Sequence, residues 1–301
     1  RVWRMQKTIL IIAVAALVGC ASMPEVVPNS PEAKAAIEAA IRAKLKKPTG
    51  ELTKADLEKV TNLRLWHTQI SDVSPLGELT QLTELSLWDN RVSDVSALKE
   101  LKQLKNLDLT KNKISDMGAL VNVLKGLKQL KSLTLEENKI SDVSALKEMK
   151  QLTQLTLHNN KISDLSPLKE LTQLKGLYLA GNKISDLSPL KEMKRLTSLN
   201  LNDNQISNLS PLKELAQLTH LRLWHNQVSD LSPLKELTQL ETLWLWDNRA
   251  SDVSALKELK QLTNLDLTKN KISDMSALKE LKQLKSLNLE ENKINDVSAL
   301  K

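Results

Sequence analysis

The sequence repeats with a period of 22 residues from Val60 onward, except for one unit of 26 residues. A typical unit, LTQLTLHNNKISDLSPLKELTQ at residues 152–173, has the skeleton LxxLxLxxNxIxxLxxLxxLxx. Later units begin at residues 82, 104, 130, 152, 174, 196, 218, 240, 262 and 284. A unit this short cannot bury its own leucines, but stacked units share one continuous core. The period therefore predicts a solenoid of about eleven repeats over residues 60–301, the last of them incomplete.

The first half of each unit predicts a strand. Leu155 and Leu157 alternate with polar residues, which is the pattern of a strand that buries its leucines and exposes its variable residues on the other face. Asn160 ends this strand, and we expect its side chain to hydrogen-bond the backbone of neighbouring turns. The same Asn recurs in the later units up to Asn292, whereas the first repeat has Thr68.

The second half of each unit predicts a short helical return. Apolar residues fall three apart between Ile162 and Leu171, which suits a helical or 3-10 segment, and Ser166-Pro167 suggests a cap followed by the first helical residue. The 26-residue unit, 104–129, lengthens this segment near Val121–Leu124. Because the inserted residues are apolar, they predict one extra buried turn; a partner contact on that side is the alternative.

This skeleton resembles the leucine-rich repeat, and the phrase ISDLSPL at residues 162–168 with the 22-residue period is most similar to bacterial internalin-like proteins. The resemblance covers about 240 of the 301 residues. It implies an α/β solenoid, a right-handed horseshoe with a parallel concave sheet and short helical or 3-10 convex segments. It also makes a protein or peptide the first hypothesis for the partner.

The two ends of the solenoid differ. Residues 31–59 predict an α-helical N-terminal cap, because Ser30 precedes a proline and an amphipathic run, and Thr53 and Asp56 resemble a capping box. The last unit stops at Lys301 before its final leucine, so truncation is the expectation there, and an open end that exposes the last leucines is the alternative. The apolar face of the cap helix consists of Ile37, Ile41 and Leu45. The leucines at the C-terminal end of the solenoid are Leu284, Leu287 and Leu289.

Residues 1–19 have the pattern of a signal peptide. Lys7 precedes an apolar run from Ile9 to Val18, which is about half the 20 residues that a membrane-spanning helix needs. Residues 17–20, LVGC, resemble the lipobox of bacterial lipoproteins. This resemblance implies cleavage before Cys20, lipid on its sulfur and amino group, and transport to the outer membrane because Ala21 follows. An ordinary signal peptide is the alternative, and residues 20–30 are interpreted as a tether.

Tryptophan marks the predicted concave face of a chain that has no Phe and one Tyr. In the repeat register, all five solenoid tryptophans alternate with buried leucines and therefore point outward. Trp224, Trp244 and Trp246 lie on neighbouring strands, so we expect them to touch and form one aromatic patch. The remaining candidate residues on this face are Trp66, Trp88, Tyr178, His220 and Asp247.

The two groups of tryptophans are related by an internal duplication. The first four and last four repeats match beyond the skeleton, as in Trp66-His67 and Trp224-His225. Trp244 and His220 stand where the first copy has Ser86 and Asn62, which favours the second group as the binding site. A ladder of aromatic residues that only stiffens the sheet is the alternative.

Charge placement argues against nucleic acid on the concave face. The outward strand positions carry ten acidic and four basic residues, a formal −6, although the whole chain is +7. Phosphate contacts need basic groups where the ligand docks. The acidic residues are Glu84, Asp89, Asp108, Glu136, Glu137, Asp203, Asp247, Asp266, Glu290 and Glu291; the basic ones are Arg64, Lys111, Arg222 and Lys269.

The sequence predicts a binding module rather than an enzyme. We find no catalytic triad pattern, phosphate loop or converging metal ligands, and we predict no cofactor or metal. The primary hypothesis is an exported, monomeric, lipid-anchored envelope scaffold that binds a basic protein or peptide. Its membrane contact would be the lipid on Cys20 alone. The alternatives are an envelope glycan stacked on the tryptophans, with Asp247 and His220 bonding its hydroxyls, and a spacer without a specific ligand.

Overall fold

The computed structural model describes residues 28–115 and 117–296. The predicted signal peptide, the lipobox with Cys20 and residues 21–27 of the tether lie outside the described residues. Within the described part, the chain forms a horseshoe solenoid whose concave side is one parallel sheet. The sheet confirms the predicted fold class.

Each repeat contributes one three-residue strand, and the strands follow sequence order from β1 to β11 in the described residues. Neighbouring strands are in register through their central leucines, as in the pair Leu155 and Leu177. The strand bounds are Asn62–Arg64 (β1), Glu84–Ser86 (β2), Asn106–Asp108 (β3), Ser132–Thr134 (β4), Gln154–Thr156 (β5), Gly176–Tyr178 (β6), Ser198–Asn200 (β7), His220–Arg222 (β8), Thr242–Trp244 (β9), Asn264–Asp266 (β10) and Ser286–Asn288 (β11).

The leucines form one continuous core between the sheet and the convex side. In the unit 152–173, each apolar position of the skeleton is at most 1% exposed, namely Leu152, Leu155, Leu157, Ile162, Leu165, Leu168 and Leu171. Complete burial of one such side chain stabilises the fold by about 1.5–3 kcal/mol. Stacking of neighbours therefore supplies the hydrophobic stabilisation that a single repeat lacks.

Most convex segments are 3-10 helices, as predicted, but their serines are not the caps. Ser166 is itself the first residue of its 3-10 helix. The backbone N–H of Ser166 donates a hydrogen bond to Asp164 Oδ1 at 2.8 Å. The aspartate thus forms the turn that starts the helix. The 3-10 helices span Ser74–Glu78, Ser96–Glu100, Ser144–Glu148, Ser166–Leu168, Ser188–Leu190, Ser210–Leu212, Ser232–Glu236, Ser254–Glu258 and Ser276–Glu280.

The 26-residue unit contains an α-helix in place of the 3-10 segment. This helix, α3, spans Met117–Gly126. Leu120, Val123 and Leu124 are each 1% exposed, in agreement with the prediction of one extra buried turn. The helix packs closely on the preceding repeat, because a Cβ at Gly126 would lie 3.2 Å from the Lys99 carbonyl oxygen.

A column of asparagines ties each repeat to the one before it. Asn160 Nδ2 donates to the carbonyl oxygen of Leu135 in the preceding repeat at 3.0 Å and to that of Leu157 at 3.1 Å. Its Oδ1 accepts from the backbone N–H of Ile140 at 3.0 Å. The same bonds recur along the column formed by Asn90, Asn112, Asn138, Asn160, Asn182, Asn204, Asn226, Asn248, Asn270 and Asn292. The expected role of Asn160 is confirmed.

The residue before each of these asparagines, and before Thr68 in the first repeat, has a left-handed backbone. In Asp247, for example, φ is 53°. These residues follow the strands, so they lie along one edge of the concave sheet. We call this set the rim column: His67, Asp89, Lys111, Glu137, Asn159, Gly181, Asp203, His225, Asp247, Lys269 and Glu291.

Two helices cover the first repeat. Helix α1 spans Pro31–Leu45, and the Ser30 hydroxyl accepts from the Ala33 N–H at 3.2 Å. Helix α2 spans Lys54–Leu57 and begins with the predicted capping box of Thr53 and Asp56. Ile37 and Ile41 are buried and Leu45 is half-buried against the core.

The junction before α1 is also attached to the first repeat. Asn29 is 5% exposed. Its Nδ2 donates to the carbonyl oxygen of Asp72 at 2.6 Å, and its Oδ1 accepts from the backbone N–H groups of Ser71 and Asp72. At the other end of the sheet, Leu287 and Leu289 are half-buried, in contrast to their fully buried counterparts in the central repeats.

Candidate functional site

The concave face is built from three outward positions in each repeat. In the eighth repeat these are His220 and Arg222 on β8, and Trp224 immediately after it. Because the strands are parallel and in register, each position stacks on its equivalents in the neighbouring repeats. All five predicted tryptophans lie on this face, and Trp66 and Trp244 are the most exposed of them, at 48% and 37%.

Arg222, Trp224, Trp244 and Trp246, with His220, form what we call the C-terminal patch. The rings of Trp224 and Trp246 stack with centroids 5.2 Å apart and an interplanar angle of 25°. His225 of the rim column lies beside this pair, with its ring 4.5 Å from that of Trp246. Offset stacking of this kind favours a rigid aromatic surface.

The prediction that the ring of Trp244 touches those of Trp224 and Trp246 is wrong. Among the described residues, its ring partner is the Arg222 guanidinium, whose Cζ lies 4.5 Å from the ring centroid. The register explains the difference, because Trp244 is opposite Arg222, whereas Trp246 follows two residues later beside Trp224. The patch is therefore an aromatic stack beside a cation–π pair.

The corresponding N-terminal patch consists of Arg64, Trp66, Ser86, Trp88 and Asp108. Here the Trp66 Nε1–H donates to Ser86 Oγ at 2.8 Å, and the Ser86 hydroxyl donates to Asp108 Oδ2 at 2.7 Å. The rings of Trp66 and Trp88 meet edge to face, with centroids 6.2 Å apart. These residues, except Trp88, line a shallow depression of about 340 Å³ on the concave face.

The centre of the concave face is uncharged around Tyr178. The His158 ring lies 5.9 Å from that of Tyr178, and its Nδ1 accepts from the Ala180 N–H at 2.8 Å. Burial and the positive charge of Arg222 hold the pKa of His158 below its ordinary value. The imidazole is therefore neutral at pH 7 and carries its proton on Nε2.

Both polar residues predicted to bond sugar hydroxyls already have partners. Nδ1 of His220 lies 2.8 Å from the Thr219 hydroxyl. Asp247 accepts from Lys269 Nζ at 3.0 Å and lies 3.6 Å from His225 Nε2. These contacts give no support to the glycan hypothesis.

The rim column carries alternating charges. In its first part, His67 and Lys111 both contact the Asp89 carboxylate, at 2.5 and 3.1 Å. The Lys111 ammonium, with a smaller contribution from His67, holds the pKa of Asp89 below its ordinary value. His225 contacts Asp203 at 2.7 Å in the second part. Such exposed pairs are screened by solvent and mainly fix the orientation of the rim side chains.

Glu136 differs from the other acidic residues of the concave face. Burial raises the pKa of Glu136, and the negative charges of Glu137 and Asp108 raise it further. Its carboxylate is thus less favourable in the folded than in the unfolded chain. This destabilisation acts above the folded pKa and disappears below the ordinary Glu pKa of about 4.3.

We therefore expect Glu136→Gln to raise the thermal unfolding midpoint at pH 7 and to have no such effect at pH 3.5. Thermal denaturation at the two pH values measures this. Glu290→Gln is the matched control, because Glu290 is the exposed counterpart of Glu136 in the duplicated block. An equal change in the midpoint at both pH values would contradict the electrostatic explanation.

No cluster of three or more His, Cys, Asp or Glu residues that could hold a metal ion occurs in residues 28–115 and 117–296. In the same part of the chain, no helix has the length and apolar character required to cross a membrane.

Comparison with known proteins follows the repeat pattern. Models described as "Leucine Rich repeats (2 copies)" match residues 58–100, 80–122, 102–148, 128–170, 172–214 and 216–258. A further model described as "Leucine rich repeat" matches residues 238–294. The fold and the matches together define a leucine-rich repeat solenoid. A search of curated proteins found no matching relative.

Solved structures place the chain more narrowly. An internalin (inlF) from Listeria monocytogenes is 35% identical, with 92% of this chain and 82% of the internalin covered and a TM-score of 0.83. Internalin C2 from the same species is 34% identical, covering 68% and 90%, with a TM-score of 0.65. A leucine-rich repeat protein from Leptospira interrogans is 29% identical, covering 80% and 64%, with a TM-score of 0.73. The chain therefore belongs to the bacterial internalin-like leucine-rich repeat proteins.

Proposed function

We propose that this protein is exported, is anchored by lipid on Cys20 to the bacterial outer membrane, and binds a protein or peptide partner on its concave face. The observation that carries the binding function is the C-terminal patch. Trp224 and Trp246 form a stacked pair beside the exposed ring of Trp244. Tryptophan and arginine are the side chains most enriched among residues that dominate binding energy at protein interfaces.

The shape and charge of the concave face support a rigid mode of binding. The outward side chains are held by the parallel sheet, so little conformational entropy is lost when a partner docks. The acidic residues of this face and of the rim column together outnumber the basic ones by ten to four. A partner with a basic surface would therefore associate faster at low than at high ionic strength.

We expect replacement of Trp224, Trp244 and Trp246 together by alanine to lower partner retention about tenfold or more, as removal of aromatic anchors does at protein interfaces. The measurement is retention of envelope proteins by immobilised protein comprising residues 21–301. Circular dichroism and urea unfolding would verify that the variant is folded.

The matched control replaces three exposed convex lysines, Lys213, Lys235 and Lys257, by alanine. We expect this variant to retain the partner as the unaltered protein does. If the tryptophan variant retained the same partner equally well, the binding site would not be the C-terminal patch.

A further inference from the structure

The buried polar atoms without a hydrogen-bond partner are concentrated at one place. Within the described part of the chain, they are Arg222 Nε, Trp224 Nε1 and Thr268 Oγ1. All three belong to outward positions in the repeats of β8 and β10, in or beside the C-terminal patch. A buried donor that has lost water and gained no acceptor destabilises the fold, and such groups in a native protein call for an explanation.

The duplication shows how this arrangement arises. In the N-terminal patch, the Ser86 hydroxyl accepts a hydrogen bond from the Trp66 Nε1–H and donates one to Asp108. The equivalent of Ser86 in the C-terminal patch is Trp244, whose ring offers no acceptor to Trp224 Nε1. The difference between Ser86 and Trp244 therefore explains why the indole N–H of Trp66 has a hydrogen-bond acceptor within the described part of the protein and that of Trp224 has none.

Arg222 adds to the same place a positive charge that no carboxylate of the described residues contacts, although Asp266 lies opposite Trp244 on the next strand. No Asp or Glu oxygen lies within 4 Å of its guanidinium in the part of the chain that the structure describes, whereas Lys111 and Lys269 on the rim each contact an aspartate. Arg64, the equivalent of Arg222, is exposed to solvent, but Arg222 is half-buried. A half-buried cation without a counter-charge favours an anionic ligand over a neutral hydroxyl.

We propose that the C-terminal patch binds a carboxylate of the protein or peptide partner through Arg222 and the Trp224 indole N–H. The carboxylate is an Asp or Glu side chain or the C-terminus of the bound segment. The inference rests on the proposed function and adds the chemical group that is recognised. A partner that is basic overall then needs one acidic group at this point, which fixes its register on the acidic face.

Binding requires a movement of Trp244. Its ring lies over the Arg222 guanidinium, yet it is 37% exposed and accordingly has solvent to rotate into. Rotation uncovers the guanidinium, and the indole ring can then pack on the apolar part of the bound segment. Trp244 thus covers the site when it is empty and lines it when it is occupied.

The test uses random 12-residue peptides selected on protein comprising residues 21–301. Peptides that depend on the patch are those lost on Trp244→Ser, a variant that restores the layout of the N-terminal patch. Their carboxylates are then removed in separate arms, by Asp→Asn and Glu→Gln changes or by amidation of the C-terminus, which distinguishes the two sources. Affinities are measured for the unaltered protein, for Arg222→Gln and for Arg64→Gln.

We expect removal of one carboxylate to weaken binding to the unaltered protein and to Arg64→Gln at least tenfold, and to Arg222→Gln less than twofold. The indole ¹⁵N–H signal of Trp224, assigned with Trp224→Phe, should shift with the acidic peptide and not with its neutral counterpart. Patch-dependent peptides that keep their affinity without any carboxylate would overturn the inference. So would an equal loss on the unaltered protein and Arg222→Gln.

Two further results concern the chemical class of the ligand and the presence of a binding site. Retention of alginate, a polymer of uronic acids, through Arg222 without any patch-dependent peptide would assign the anion to a glycan and overturn the peptide ligand. If neither peptides nor alginate bound through the patch, the carboxylate inference would fail; the proposed binding function would fail with it only if the tryptophan variant also retained the envelope partner unchanged.

Discussion

Asn160→Ala is expected to lower the free energy of unfolding by about 3 kcal/mol, because it leaves buried backbone groups on two repeats without partners. The substitution removes the bonds from Nδ2 to the Leu135 and Leu157 carbonyl oxygens and the bond that Oδ1 accepts from Ile140. Urea denaturation followed by circular dichroism measures the change. In a linear array, the damaged interface also uncouples the repeats on its two sides, so the transition should broaden.

The matched control for this prediction is Asn292→Ala. Asn292 makes the same bonds to Leu267, Leu289 and Ile272, but it is half-exposed in the last described repeat. Water can replace the lost bonds there, and we expect a loss of about 1 kcal/mol or less. If both substitutions cost the same small amount, the column would not be what couples the repeats.

Cys20→Ser is expected to abolish the incorporation of lipid into this protein. Cys20 is the only cysteine in the chain, and the lipobox resemblance assigns both lipid attachments to this residue. Growth of a bacterial host with an alkyne-labelled fatty acid, followed by coupling to a fluorophore, measures the lipid on the purified protein. The loss of signal should be complete, because no second thiol can replace Cys20.

The control for the lipid prediction is the triple replacement of Trp224, Trp244 and Trp246 by alanine, which leaves the lipobox intact and should be labelled as fully as the unaltered protein. Label that persisted in Cys20→Ser would place the lipid elsewhere. An unlabelled wild-type protein would instead favour the ordinary signal peptide and contradict the proposed anchor.

The sequence is sufficient to predict the architecture, because every unit has to bury the same leucines and satisfy the same backbone groups with its asparagine. Leu155 and Leu157 are buried and Asn160 bonds the neighbouring repeat, as their spacing indicates. The period also placed all five tryptophans on the concave face. Whether a strand residue faces the core or the concave side depends only on alternation along the strand, so it can be predicted from the residue types.

Features that depend on contacts between repeats were harder to predict. The pairing of Trp244 with Arg222 depends on which side chains lie opposite one another on β8 and β9, and a list of outward residues does not contain this information. The register would have revealed it, since Arg222 precedes Trp244 by one repeat length. The bond from Ser86 to Asp108 crosses the same distance and was missed for the same reason.

The capping of the 3-10 helices was misassigned for a different reason. A serine followed by proline matches the start of an α-helix, but the convex segment is a three-residue 3-10 helix that starts at the serine. In that segment, Ser166 is already helical, so the preceding Asp164 has to supply the acceptor. The residue types also do not predict the rim column, because six different types share its left-handed backbone and no composition signal marks it.

The short reach of the asparagine bonds has a consequence for how the length of this protein can change. Each Asn contacts its own repeat and the one before it, so a recombination event that inserts or removes whole units restores the same set of bonds at the new junction. The strand register, the packing of the core and the hydrogen bonds between repeats then stay the same whatever the number of units. A block of seven repeats can therefore be copied in one event without a misfit at either end, and its outward residues can then change, as the difference between Ser86 and Trp244 shows, without disturbing the bonds that hold the repeats together.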